Sequence, residues 1–113
     1  MRRCRLRHNG QPLAVTLWLC ESFLERATGL LGHGPLPDRQ LLGIAGCRAI
    51  HTVGMRYCID LAFADQRGRV LRCVHGLRPG RLCWVRGAHT VFEMRAGLAA
   101  GLGIAPGSLL VIQ

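Results

Sequence analysis

The residues whose types could do chemistry concentrate in one stretch, "CRAIHTVGMRYCIDLAFAD", from Cys47 to Asp65. His51 and Thr52 precede Gly54, which puts them at a strand end where side chains can project into a pocket mouth. Asp60 stands between Ile59 and Leu61. A carboxylate so placed either faces solvent on an alternating strand or is held inside by partners, because a bare buried charge is too costly. Backbone amides, Arg48 or Arg56 are the groups that would hold it. Glu93, in "TVFEMR", supplies a second carboxylate. Together His51, Thr52, Asp60 and Glu93, with Trp84 beside them, would suit a polar small molecule, a sugar or a peptide strand, since such a pocket needs only a few convergent polar groups on apolar walls. An aromatic content of 5% argues against a sugar-stacking face.

Other chemistries compete for the same residues. Imidazole and carboxylate are a sound ligand set for zinc or iron, so His51 and Asp60 with His75, His89 or Glu93 define an alternative, a metal-assisted hydrolytic enzyme. Their spacing matches no metal-ligand pattern, and neither a bound metal nor a cofactor is expected. Cys47 or Cys58, near His51 and with Arg48 and Arg56 as electropositive neighbours, could carry thiol chemistry, although a buried strand cysteine is the commoner role. Asp60 and Glu93 facing each other across a sandwich would make a glycosidase-like pair, but nothing in the sequence fixes their separation. "GLLGHGP" lacks the lysine and the strand-then-helix context of a phosphate loop. A non-catalytic binding or accessory module is the preferred reading, with a small molecule or a protein as its ligand.

The chain that must position these residues has 113 of them, half apolar, enough for one domain with its own core. Its formal charge is +9 and every one of its 15 basic residues is arginine. Arg2, Arg3, Arg5 and Arg7 cluster in a basic arm, residues 1–12, that reads as a solvated tail; the others are scattered. With no zinc-finger spacing, heptads or RNA-binding aromatic motif, nucleic acid is not an expected partner. Six cysteines never fall in a paired ligand spacing, which argues against a structural zinc. A basic start and the seven-residue apolar run Leu13–Leu19 imitate a signal peptide, but "NGQP" separates them, no small-x-small site follows and the run is too short to span a bilayer. The expectation is a cytoplasmic protein with reduced thiols, not an integral membrane protein.

Residues 13–113 read as a single, mainly β domain: a small antiparallel sandwich or barrel with one short helix near its N-terminus. Leu13, Val15, Leu17 and Leu19 alternate as a strand does. Ser22 and Glu25 form a capping box that opens a helix ending at Gly32. Short strands then follow over Leu41–Ile44 and Cys47–His51. Ile59, Leu61 and Phe63 alternate ahead of "DQRG", a turn closed by Gly68, and Val70–Val74 completes that hairpin. Leu82–Val85, His89–Met94 and "PGSLLVI" supply the rest, with a helical turn over Ala96–Gly103. No helix separates successive strands after residue 40, so a parallel α/β fold is not expected.

The segments "ERATGLLG", "IHTVGMRYCIDLAFAD" followed by "GRVL", and "VFEMRAG" with "PGSLL" resemble domain-of-unknown-function family 192, also called uncharacterised protein family 0127, from about Glu25 to Leu110. Met55, Asp60, Phe63 and the Asp65–Gly68 turn carry the likeness. It implies a small β-sandwich or barrel with an early helix and no established activity. It also implies an accessory role near envelope, pilus or secretion machinery. Cys58, where proline is common in the family, and Ser108, where an acidic residue is frequent, are departures. His51, Thr52, Asp60 and Glu93 coincide with the family pattern.

Overall fold

The computed structural model describes residues 1–21 and 36–113. Its centre is a six-stranded sheet in the order β1–β4–β5–β10–β7–β8, formed by β1 (Arg2–Cys4), β4 (Thr16–Cys20), β5 (Gln40–Ala45), β7 (Ile59–Ala64), β8 (Val70–Leu77) and β10 (Thr90–Arg95). The remaining strands β2 (Leu6–His8), β3 (Gln11–Pro12) and β11 (Leu110–Ile112) make a three-stranded sheet, and β6 (Ala49–His51) pairs with β9 (Leu82–Trp84) as a two-stranded ribbon.

The two small sheets lie on opposite faces of the large one. Leu6 and Leu110, with the short helix α1 (Leu98–Gly101), pack on the side of Leu17, Leu41, Ala62, Phe92 and Met94. Ile50 and Cys83 of the ribbon pack on the side of Leu42, Ile44, Leu61, Phe63 and Val91. This three-layer arrangement explains why all six residues of β7 are buried: a central strand covered on both sides has no solvent face, whatever its alternation suggests. Ala62 and Ala64 keep one side of β7 thin, which leaves room for Phe92, Leu98 and Leu110 in the same cluster.

Several expectations need correcting. The sheet is open rather than a closed barrel, since β1 and β8 end it. It is also not wholly antiparallel: β4 and β5 run parallel, with Leu17 opposite Leu41 and Leu19 opposite Gly43. Parallel neighbours require a long connection, and 19 residues separate Cys20 from Gln40 in the sequence. The helix expected over Ser22–Gly32 lies outside the described residues; the described helix is α1, within the predicted turn at Ala96–Gly103. Nor are the first residues a solvated tail. β1 pairs with β4, β2 pairs with β11, and Cys4 and Leu6 are buried while Arg3 and Arg5 between and beside them point outward. That is a period-two pattern hidden by the density of arginine. Asn9 and Gly10, both at positive φ, turn β2 into β3, the Asn-Gly signature of a tight hairpin.

Candidate functional site

The four candidate ligand residues separate into three environments. His51 is exposed, on the outer side of the ribbon opposite Leu82. Thr52, one residue on, is fully buried. Its hydroxyl donates to the Arg78 carbonyl at 2.6 Å and accepts the Arg81 N–H at 2.9 Å, while its own N–H donates to the Arg81 carbonyl and its carbonyl accepts from Gly80 and Met55. One threonine thus ties the turn ahead of β9 to the end of β6. The "T-V-G" signal marked the strand end, but not the partner segment it clasps.

Asp60 is fully buried on the α1 side of the sheet. Opposite it β8 carries an irregularity, since Ile59 pairs with Leu77 but Leu61 with Val74. The bulged Gly76 donates its N–H to Asp60 Oδ1 at 2.9 Å. Gly97 and Ala99, at the start of α1, donate to Oδ2 at 2.9 and 3.2 Å. His75 Nδ1 stands 3.9 Å from Oδ2, beyond hydrogen-bond reach. The carboxylate therefore caps two backbone irregularities that would otherwise bury donors without acceptors. Backbone amides, not Arg48 or Arg56, hold it.

Glu93 lies on the other face of the sheet. Its row across the strands is Trp18, Leu42, Glu93, Leu61, and the residue is 1% exposed. Its Oε2 has no hydrogen-bond partner, and desolvation in this apolar row raises its pKa to about 7. Tyr57 shares the layer, and its phenol is pushed upward first by burial and then by the Glu93 charge. Asp60 and Glu93 are thus on opposite faces and His51 is outside both, so the set His51, Asp60 and Glu93 does not converge. Among the described residues no three His, Cys, Asp or Glu side chains form a metal-ligating group.

None of the six cysteines forms a disulfide. Cys58 is exposed, and the half-buried Cys47 donates its S–H to the Ala49 carbonyl at 3.0 Å. Burial and the nearby Asp60 charge raise the Cys73 thiol, which favours the protonated, unreactive form.

What the sequence did not reveal is the outer face of the ribbon. Leu82 is 76% exposed, Val53 59% and Trp84 56%. Leu82 and Trp84 alternate with buried Cys83, and because both faces of that alternation are apolar, the pattern alone could not say which was outside. Arg48, Arg81 and Arg86 flank the patch, all exposed.

No curated protein matches the chain. Two crystal structures share its fold: that of a "putative transcription regulator" from Sinorhizobium meliloti 1021 (TM-score 0.86, 19% identity, 98% of this chain and 94% of that one), and that of a protein of unknown function from Novosphingobium aromaticivorans DSM 12444 (TM-score 0.81, 21% identity, 96% and 83%). The family model DUF192, described as an uncharacterized ACR, matches residues 4–112. With nearly its whole length matched, the chain belongs to the DUF192 family.

Proposed function

We propose that this protein is a non-catalytic binding module that docks an acidic, partly apolar segment of another protein on the outer face of the β6–β9 ribbon. The observation that carries the reading is the exposure of Leu82 and Trp84, alternate residues on one face of β9, with Val53 exposed just beyond the end of β6. Large apolar side chains grouped on a surface mark interaction sites, and tryptophan is enriched, with tyrosine and arginine, among the energetic anchors of such sites. The acidic preference follows from charge. Between Arg39 and Ile59, and again between Gln66 and Phe92, there is no Asp or Glu, so the surroundings of the patch are cationic and favour an anionic partner.

In this reading His51, opposite Leu82 on the ribbon, touches the partner. Thr52 and Asp60 position the platform, Thr52 by clasping the turn that leads into β9 and Asp60 by fixing β8 and α1. An accessory role beside envelope or secretion machinery, the setting the family resemblance implies, is compatible with a docking module. No comparable observation favours the metal-assisted hydrolase.

The test is a selection of displayed peptides on the whole protein, repeated on the Leu82→Ser/Trp84→Ser variant. Both positions are exposed, so the variant should keep the parent's melting temperature. Peptides rich in Asp, Glu and apolar residues should emerge and bind the variant at least about tenfold more weakly. Enrichment indifferent to the double substitution would overturn the proposal. So would a blue shift of Trp84 emission on phosphatidylglycerol vesicles with no peptide selected, which would point to a membrane surface instead.

A further inference from the structure

Away from the ribbon, a cleft of about 620 Å³ opens between the β2–β3 sheet and the start of β4 and β5, a size that suits a small molecule. Buried Leu6 and half-buried Leu13 and Val15 give it an apolar wall, and Arg5, Arg7 and Arg39 line it with charge. Arg7 is fixed in place: its Nε donates to Gln113 Oε1 at 3.1 Å and its Nη1 to the Gly10 carbonyl at 2.8 Å. Both acceptors are neutral, so these bonds orient the guanidinium without cancelling its charge. The acidic residue lining the cleft, Asp38, is already engaged, accepting from Arg95 Nη2 at 2.8 Å and Nε at 3.3 Å. Among the described residues no other acidic side chain lines the cleft, and none forms an ion pair with Arg5, Arg7 or Arg39, although the Arg39 charge helps hold the Asp38 carboxyl below its usual range.

Among the described residues Arg39 is also the one arginine held at positive φ, +65°. That left-handed conformation favours glycine. It is maintained because the Arg39 carbonyl accepts the Thr16 N–H at 2.9 Å, at the point where β4 begins alongside β5. A glycine would make the same turn without strain, so the sequence keeps a strained residue whose distinguishing property is its guanidinium. Strain retained beside a cleft is a pointer to binding.

We infer that this cleft binds the phosphate group of a small phosphomonoester. Around the single carboxylate side chain of Asp38 stand Arg5, Arg7, Arg39 and its partner Arg95, a positive surplus that favours a dianion over a monocarboxylate, and arginine is suited to phosphate by its forked donors. The apolar wall receives a short carbon body. This site is independent of the ribbon, and either can fail without the other.

Thermal unfolding in inorganic phosphate or glycerol 3-phosphate, against chloride and acetate at matched ionic strength, tests the inference. The two phosphates should raise the melting temperature and acetate should not. Arg39→Gly, which relieves the strain, should melt at the same or a higher temperature without phosphate and lose the phosphate-dependent rise. Arg5→Gln should reduce that rise. Absence of a rise in the unmodified protein, or its persistence in Arg39→Gly, overturns the site. Tight binding of single-stranded DNA that depends on Arg39, with no response to glycerol 3-phosphate, overturns the small-molecule assignment.

Discussion

Glu93 and Asp60 are one register step apart on neighbouring strands, Glu93 opposite Leu61 and Asp60 opposite Met94, and that single step puts the two carboxylates on opposite faces of the sheet. Their fates differ accordingly. Asp60 meets three backbone donors, whereas Glu93 meets an apolar row and keeps an oxygen without a partner. One is a structural cap and the other is a buried acid with a displaced titration.

Asp60→Ala should cost on the order of 3 kcal/mol in urea unfolding, because it leaves three amide donors without their charged acceptor. Asp60→Asn keeps a carbonyl oxygen but brings an amide that cannot accept, and it should fall between. Exchange at the Gly76, Gly97 and Ala99 amides should accelerate selectively in both. A loss below about 1 kcal/mol for the alanine variant would show that the cap is dispensable.

Glu93 makes stability depend on pH with a sign opposite to that of a salt-bridged carboxylate. Its pKa rises from 4.5 to about 7 on folding, so between those values the folded chain holds a proton that the unfolded chain has released. Stability from this group is full below pH 4.5 and is lost as pH rises through 7, by roughly 3 kcal/mol if the shift is expressed in full. Glu93→Gln should flatten the profile across that window. An unchanged slope would mean that the dependence comes from other groups.

Thr52→Val preserves shape and removes the hydroxyl. It should cost about 2 kcal/mol, since the Arg78 carbonyl and the Arg81 N–H both lose a buried partner, and Thr52→Ser should recover most of it. Amide exchange at Arg81 reports the local opening. If Arg81 stays protected in the valine variant, the clasp resides in the backbone bonds alone.

At Gly68 the turn after β7 requires φ of +89°, and an added Cβ would meet the Leu110 carbonyl oxygen. The Gly68 carbonyl also accepts the Leu110 N–H at 2.8 Å, which ties the turn to β11. Gly68→Ala should therefore lose roughly 2 kcal/mol or more. A melting temperature equal to the parent's would indicate that the two segments separate at little cost.

Strand existence was legible because side-chain direction along a strand is local: Ile59, Leu61 and Phe63 could be assigned to one face from spacing alone, and Asp65 to Gly68 announced its turn by residue type. The family could be recognised for the same reason, since its markers are short and contiguous. Trp84 could be named but not placed, because Leu82, Cys83 and Trp84 are all apolar and only the covering of Cys83 shows which side is outside. Whether Asp60 was solvated or capped depended on Gly76, Gly97 and Ala99, each more than a dozen residues away in sequence. The parallel pairing of β4 with β5, the facing of Glu93 and the meeting of Arg5 with Arg39 at one cleft are likewise decided by register and layering. Those are long-range choices set by which apolar faces can be buried together, and no window of sequence contains them.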